Sequence, residues 1–345
     1  MGSESRNRYL IKNTLIFTLG NIGSRMISFF LIPLYTNVLT TSQYGTVDLI
    51  TTISTVAGPM LTLNIAESVM RFGLDKDADK RKNTQCGSIV LFIAMLIGLV
   101  LIPICRCIAE VSDYAMYVYF YVISLSASQL FLCDLRGKEL LLKYSLGNIL
   151  QTLMIAILNI TFLLIFKMET GGYLLAYIIA NFIVAIYAII AGKGYKAFSF
   201  HNIDCSKLKE MVRYSVVLIP NTFMWWIMNS SDRVMVTYMI GAAANGIYAV
   251  SYKLPTLVST LTGIFNQAWS YSAIREEGTS DETEYNNKMF KTLTAIAFMM
   301  GIGLLLLTKP FLKVYVADSY YDAWKYTPFL IIGCVYLTLG TFMAT

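Results

Sequence analysis

TQCGSIVLFIAMLIGLVLIPIC, residues 84–105, contains no charged side chain and lies between Lys82 and Arg106. A helix of this length, at about 1.5 Å per residue, crosses the roughly 30 Å of hydrocarbon in a bilayer. Comparable apolar runs recur along the whole chain, and we number the predicted spans 1 to 10. They are Ile11–Leu34, Gly45–Ala66, Thr84–Cys105, Ala115–Cys133, Tyr144–Phe166, Gly172–Ala191, Met211–Met239, Gly246–Ala268, Met289–Thr308 and Trp324–Thr345. The sequence therefore predicts an all-α polytopic membrane protein of about ten transmembrane helices.

Composition and charge distribution agree with this class. Of the 345 residues only 14% are charged, and the mean hydropathy is +0.60. Soluble domains carry about 25% charged residues. With the N-terminus inside, 19 Lys and Arg residues lie in cytoplasmic segments and 5 on the other side. The positive-inside rule then predicts a multi-pass plasma-membrane protein with a cytoplasmic N-terminus, and it accounts for the net charge of +6 without a nucleic-acid partner.

The chain also contains a weak internal repeat. A shift of 201 residues places Ser28 on Asn229 and Gly45 on Gly246. Parallel repeats of this kind build many transporters. We expect a complete first lobe of six helices at 1–191, a cytoplasmic linker at 192–210 and an incomplete second lobe at 211–345. Because the chain stops inside an apolar run, we also expect a C-terminal truncation.

Three cations lie inside the predicted spans, namely Arg25, Arg233 and Lys253. A charge within hydrocarbon is costly and is presumed to be functional or paired. All three lie roughly 10 Å below the external boundary, counted at about 1.5 Å per residue. This common depth favours one water-filled cavity that binds an anionic substrate. Pairing of Arg233 with the adjacent Asp232, or snorkelling of its head group to the surface, is the structural alternative.

Polar residues extend this candidate site. Asn21, Arg25 and Ser28 share one face of span 1 with two threonines, and Asn229 lies on span 7. We assign these residues to substrate binding, although polar faces also serve as helix-packing contacts. The candidate ion-coupling residues are Asp48, Glu67 and Asp232. Asp48 and Glu67 lie near the two ends of span 2, so positions at the membrane interface are equally compatible with the sequence. Proline residues predict bends at Gly58-Pro59, Pro220 and Pro255.

Two stretches carry a family resemblance. Ile32-Pro33-Leu34-Tyr35, Leu39-Thr40 and Gln43-Tyr44-Gly45 occur around the first two spans, and Asp232-Arg233-Val234-Met235 with Gly246-Ile247-Tyr248 around the seventh and eighth. In these stretches the chain resembles polysaccharide flippases, of the O-antigen or capsule type, in the MATE-like exporter superfamily. The resemblance implies a two-lobe bundle that moves a lipid-linked oligosaccharide, a polyprenyl-pyrophosphate sugar, to the external leaflet by alternating access. It implies membrane lipids and a glycan polymerase of the same pathway as partners.

Two rival functions remain open at this stage. A cation-coupled multidrug exporter of the same superfamily would be expected to line its cavity with carboxylates, whereas the charges within the spans here are mainly basic. A membrane glycan polymerase or ligase would need a large external catalytic loop, and no external loop exceeds about 17 residues. The single histidine, His201, lies in a predicted cytoplasmic loop, and no Gly-rich phosphate loop with lysine occurs. The sequence therefore predicts a transporter rather than an enzyme, without catalytic residues, cofactor or metal.

Overall fold

The computed structural model describes residues 27–75, 79–107, 110–197, 204–276 and 282–343. In these ranges the chain forms twelve α-helices with defined bounds, a further helical stretch at 27–30 and no β-strand, which confirms the all-α class. They are α1 (Ile32–Val38), α2 (Thr41–Leu61), α3 (Ile65–Gly73), α4 (Lys80–Arg106), α5 (Ala115–Gly137), α6 (Leu141–Ile160), α7 (Glu169–Ala191), α8 (Cys205–Met239), α9 (Ala242–Ser251), α10 (Lys253–Glu276), α11 (Glu282–Tyr315) and α12 (Thr327–Met343). Short 3₁₀ turns occupy Ser112–Tyr114, Gly194–Ala197 and Asp318–Lys325, and a π turn at Thr161–Ile165 continues α6.

Five helical segments are long and apolar enough to cross a membrane, and two bent helix pairs raise that number to seven. The five are Lys80–Arg106, Ser112–Gly137, Leu141–Ile165, Glu169–Ala191 and Thr283–Tyr315, and the pairs are Thr41–Leu61 with Ile65–Gly73 and Asp318–Lys325 with Thr327–Met343. Most of predicted span 1 lies outside the described residues. Predicted spans 7 and 8 fall on α8, α9 and α10, which are too polar or too interrupted for this criterion. The protein is an integral membrane protein, with five to seven apolar spans identified in the described part of the chain.

Large apolar side chains remain exposed on these helices. Val100 on α4, Ile165 after α6 and Leu306 on α11 each expose more than two thirds of their surface. In water such surface would be unfavourable, since burial of apolar area contributes about 25 cal/mol per Å². In a bilayer the same surface faces acyl chains, which accounts for helices that are apolar on their outer faces.

A sharp bend separates α2 from α3. A capping box formed by Thr40 and Gln43 begins α2, and Pro59 lies inside this helix, near its end. The two helix axes differ by 60°, and the break falls at Leu63 and Asn64, which both have positive φ. The sequence predicted this bend at Gly58-Pro59, a few residues too early. Asn64 is held there by a hydrogen bond from its amide Nδ2 to Thr222 Oγ1 of α8.

A second proline effect appears between α9 and α10. Pro255 lies in the first turn of α10, where a missing N–H is tolerated. The Ser251 carbonyl, four residues earlier, accepts a hydrogen bond from the Thr327 hydroxyl at 3.2 Å. A partner from α12 thus satisfies the carbonyl that a proline leaves free, and the helix is interrupted at Tyr252, close to the predicted position.

Helix bounds recur at the 201-residue offset found in the sequence. α1 ends at Val38 and α8 at Met239, and α2 begins at Thr41 and α9 at Ala242. The connecting residues are Leu39–Thr40 in the first case and Ile240–Gly241 in the second. Gly241 has φ +126°, a conformation that other residues rarely adopt. The same helix–turn–helix unit therefore occurs at both positions in the chain.

Two buried clusters organise the packing. One joins α1, α2, α5 and α7 to α9 and to the Asp318–Lys325 turn, and includes Leu49, Leu174, Val250 and Tyr320. The other lies around α3, α4, α5 and α7 and reaches the first turns of α8 through Met211. The first cluster brings early and late parts of the chain together at one end of the bundle, and that end contains the candidate site.

Candidate functional site

The backbones of α2 and α9 cross in direct contact at two glycines. A Cβ atom on Gly45 would overlap the Ala242 carbonyl oxygen and lie 2.8 Å from the Gly246 nitrogen. A Cβ atom on Gly246 would overlap the Thr41 carbonyl oxygen and lie 3.1 Å from the Gly45 nitrogen. The two contacts are related by the 201-residue offset, so the crossing is locally two-fold symmetric. Only glycine permits backbones to approach this closely.

An ion pair forms one turn beyond this crossing. Asp48 follows Gly45 on α2, and its Oδ1 lies 2.9 Å from Nη1 of Arg233 on α8. The two side chains are 7% and 20% exposed. Asn245, next to Gly246, donates from Nδ2 to the Gly45 carbonyl at 2.9 Å and contacts Asp48 Oδ2 at 3.4 Å. Charges removed from water require a partner, and here the partner comes from a helix 185 residues away in sequence.

Tyrosine side chains complete the surroundings of Arg233. Its guanidinium carbon lies 5.2 Å from the centre of the Tyr252 ring, a cation–π distance. Its neighbour Asp232 accepts a hydrogen bond from the Tyr248 hydroxyl at 2.6 Å and one from the Arg233 backbone N–H at 2.9 Å. The Arg233 guanidinium thus pairs with Asp48, while Asp232 is occupied by Tyr248. The simple alternative of an Arg233–Asp232 pair does not hold.

A tyrosine cluster lies beside the ion pair. The Tyr35 ring is 4.9 Å from the Tyr173 ring and 6.1 Å from the Tyr44 ring, and Tyr173 stacks on Tyr177 at 4.8 Å. The Tyr173 hydroxyl donates to the Tyr177 hydroxyl at 3.1 Å, while the buried Tyr35 hydroxyl lacks a hydrogen-bond partner among the described residues. Sequence reasoning missed this cluster, although the tyrosines at 173 and 177 share one helix face.

The structure places the predicted substrate-binding residues unequally. Arg25 and Asn21 lie outside the described residues. Lys253 is half-buried at the start of α10, within electrostatic reach of Asp48, Arg233 and Tyr177. Ser28 is exposed on the apolar helix Ile27–Val38, and Asn229 is exposed on α8, where its Nδ2 donates to the Trp225 carbonyl at 2.7 Å. Arg233 and Lys253 are therefore brought together, and the assignment of all six residues to one substrate site stays a prediction.

The predicted ion-coupling carboxylates lie at separate places. Asp48 is buried in the crossing, and Asp232 is on α8 beside Tyr248. Glu67 is in the first turn of α3, where the helix dipole favours a negative charge. About 20 Å of α2, at about 1.5 Å per residue, separates the turn of Asp48 from the end of that helix, before the bend to α3. One ion site cannot contain both Asp48 and Glu67.

A second polar cluster occurs at the other end of the bundle and was not predicted. Asp134 on α5 accepts from the Lys138 ammonium and from the Thr84 hydroxyl of α4, both at 2.6 Å. Lys138 also donates to the Gly192 carbonyl at the end of α7 at 3.0 Å. Nearby, Asp204 caps α8 and pairs with Lys82 at 3.3 Å. The Lys207 backbone N–H and the Lys82 ammonium lower the pKa of Asp204 below its usual value.

These features define the class of the protein. It is an all-α integral membrane protein with a charged pair buried between helices and, in the ranges that the structure covers, no group of three or more His, Cys, Asp or Glu side chains able to hold a metal ion. This arrangement suits a membrane transporter, because paired polar groups between helices can exchange partners with a passing solute.

A model of the family described as "Polysaccharide biosynthesis protein" matches residues 10–271, and the chain belongs to that family. No curated protein matches the chain.

Solved transporter structures share the fold. An inward-facing multidrug resistance MATE family transporter of the MOP superfamily aligns with TM-score 0.55 and 11% identity, over 92% of this chain and 81% of that one. The MATE multidrug transporter DinF-BH, in complex with R6G, aligns with TM-score 0.53 and 14% identity, over 99% of this chain and 85% of that one. A MATE protein in complex with MaD3S aligns with TM-score 0.52 and 13% identity, over 96% of this chain and 81% of that one. At such identities the likeness establishes the MATE-like fold alone. Together with the family, it identifies a membrane exporter or flippase and favours a transporter over an enzyme.

Proposed function

We propose that this protein moves a lipid-linked oligosaccharide, a polyprenyl-pyrophosphate sugar, from the cytoplasmic to the external leaflet of the plasma membrane. Two lobes, 1–191 and 211–345, joined by the 192–210 linker, would alternate around a central cavity. The lipid tail would remain among membrane lipids, and a glycan polymerase would use the product outside. The family supports the polysaccharide pathway, and the MATE-like fold supports alternating access.

The observation that carries the substrate class is the pair of cations at the crossing. Arg233 and Lys253 lie around a single buried carboxylate, Asp48. A pyrophosphate would add negative charge beside these two cations, of which only Arg233 is in an ion pair with Asp48. Arginine is well suited to this role because its planar fork can bond two oxygens at once. We assign Arg25 to the same role on the basis of its predicted depth.

The distribution of Lys and Arg supports an orientation with the N-terminus in the cytoplasm. With the N-terminus in the cytoplasm, the α2–α9 crossing lies at the external end of the bundle. Closure at that end corresponds to a state that accepts substrate from the cytoplasmic side. The closed crossing therefore supports the proposed export direction.

Reconstitution provides the direct test. The purified protein is placed in proteoliposomes with a fluorescent polyprenyl-pyrophosphate oligosaccharide, and a membrane-impermeant quencher reports transfer between leaflets. We expect faster transfer than in protein-free liposomes and a large loss in Arg233→Gln. Transfer at the protein-free rate would contradict the proposal.

A cation-coupled multidrug exporter is the rival function, and two observations favour it. Two of the structural neighbours named above are multidrug transporters, and Asp48 supplies a buried carboxylate of the kind that a cation could use. The same proteoliposomes are therefore loaded with the cationic dye ethidium under a proton or sodium gradient. Gradient-dependent dye transport without lipid transfer would replace the flippase proposal with the exporter.

A further inference from the structure

Arg233 does not use all of its hydrogen-bond donors. Nη1 contacts Asp48 Oδ1 at 2.9 Å, whereas Nε is buried without a hydrogen-bond partner among the described residues. A guanidinium group carries five N–H donors and can bond two oxygens of a carboxylate or phosphate in parallel. The pair with Asp48 is therefore a one-point contact, and Arg233 keeps donors for a second acceptor.

Asp48 has other partners within reach. Its Oδ2 contacts Asn245 Nδ2 at 3.4 Å, a long distance for a hydrogen bond, and Lys253 is within electrostatic reach. Among the described residues Lys253 forms no ion pair within 4 Å. If Asp48 leaves Arg233, the amide of Asn245 and the ammonium of Lys253 can stabilise its negative charge.

The Asp48–Arg233 pair also connects two parts of the chain mechanically. Asp48 lies one turn from Gly45 in the crossing. Arg233 lies on α8, in the last two turns before that helix ends at Met239 and the chain turns into α9. Separation of α2 from α8 and α9 at this end must break the ion pair. A buried charge without a partner is unfavourable, so the pair opposes this separation as long as no other anion is bound to Arg233.

We propose that Asp48 is an internal competitor for the anion that Arg233 binds. The anionic head of the substrate takes the place of Asp48 on Arg233, Asp48 passes to Asn245 and Lys253, and the ion pair that ties α2 to α8 opens. Arg233 has a negative partner and Asp48 a positive one both before and after the exchange, so neither of these buried charges is left alone. Binding of the anion is thereby coupled to separation of the crossing. This inference rests on the proposed function, since it assumes a substrate with an anionic head group.

A binding experiment on the purified full chain in lipid nanodiscs tests the competition, with inorganic pyrophosphate as the probe and calorimetry as the readout. Asp48→Asn removes the competitor and should strengthen pyrophosphate binding about tenfold, the effect of a charge-assisted hydrogen bond. Arg233→Gln should weaken binding by a similar factor. In the double variant the gain from Asp48→Asn should disappear, because its cause is the occupancy of Arg233.

Two further variants separate competition from simple electrostatics. Asp232→Asn removes the same charge from the residue next to Arg233 but leaves the Asp48–Arg233 pair intact, so its gain should be clearly smaller. Asn245→Ala changes no charge and removes the hydrogen-bonding one of the two alternative partners of Asp48, so pyrophosphate should bind several-fold more weakly. This second variant also tests the proposal if Asp48→Asn fails to fold.

The outcomes distinguish the exchange from the proposed function. Equal gains in Asp48→Asn and Asp232→Asn, or a gain that persists beside Arg233→Gln, would overturn the competition. Unchanged binding in Asn245→Ala would do the same. If the binding results are as expected but the wild-type protein transfers no lipid-linked oligosaccharide in proteoliposomes, the proposed function fails and the anion exchange at Arg233 stands.

Discussion

Replacement of Gly45 by alanine should prevent the close crossing of α2 and α9. The new Cβ atom would overlap the Ala242 carbonyl oxygen and lie 2.8 Å from the carbonyl carbon. The helices must move apart by well over the 0.6 Å that the carbonyl carbon alone requires to reach 3.4 Å, because the carbonyl oxygen lies closer still. The hydrogen bond from Asn245 to the Gly45 carbonyl, now 2.9 Å, would then be stretched beyond hydrogen-bond distance.

The energetic effect can be bounded from similar changes. Insertion of a methyl group into a packed contact costs about 1–3 kcal/mol. Because each 1.4 kcal/mol is about a factor of ten, the closed crossing should become roughly fivefold to more than a hundredfold less populated relative to separated states. Gly246→Ala should have a similar effect, because its Cβ atom meets the Thr41 carbonyl in the symmetry-related contact.

Lipid transfer in proteoliposomes measures the consequence for function, and labelling of a cysteine at exposed Ser42 by an impermeant maleimide reports opening of the crossing. We expect slower transfer and faster labelling in both glycine variants. Gly303→Ala is the matched control, since a Cβ atom on this α11 residue meets nothing within 4 Å. Wild-type transfer in Gly45→Ala, or an equal defect in Gly303→Ala, would refute the reasoning.

Three further predictions concern other parts of the chain. Cysteines introduced in the 71–82 segment should be labelled by impermeant reagents only from the cytoplasmic side, and labelling of intact cells from outside would contradict the predicted orientation. Arg25→Lys should lose part of the transfer activity. Arg25→Ala should weaken substrate binding roughly ten- to hundredfold, the effect of a lost charge-assisted hydrogen bond, and normal transport in Arg25→Ala would disprove a binding role. Trp226→Phe removes the 2.9 Å hydrogen bond from the indole to the Thr52 carbonyl and should lower stability by about 1 kcal/mol, seen as a reduced unfolding temperature, whereas an unchanged temperature would show that this bond between α8 and α2 is dispensable.

The apolar spans could be predicted because the bilayer constrains them locally. Predicted span 3, Thr84–Cys105, lies within the helix Lys80–Arg106, and predicted span 6, Gly172–Ala191, lies within Glu169–Ala191. In hydrocarbon every backbone N–H and C=O must be bonded within the segment, so an uncharged run of sufficient length forms a helix whatever its tertiary neighbours. Fold class therefore follows from length and composition.

The bend in span 2 was less predictable because a proline acts through its surroundings. Pro59 lies inside α2, which continues to Leu61, and the chain turns only at Leu63 and Asn64. Asparagine is among the few residues that tolerate positive φ, so Asn64 was the available signal. What fixes the turn is the Thr222 hydroxyl of α8, and a contact between residues 158 positions apart is not visible in a local pattern.

The ion pair shows most clearly where sequence reasoning ends. Arg233 had Asp232 beside it, and Asp48 could equally be assigned to Arg25, because a sequence gives distances only along the chain. The glycines at 45 and 246 nevertheless indicate which two helices are in contact. Two glycines at one repeat offset allow two backbones to touch, and polar groups within one turn of such a contact must then satisfy one another, since neither water nor lipid can reach them. Asp48 and Asn245 both lie within one turn of these glycines, and they meet across the crossing. Repeat-related glycines flanked by charged or amide side chains therefore predict an interhelical polar contact, even where neither helix alone identifies the partner.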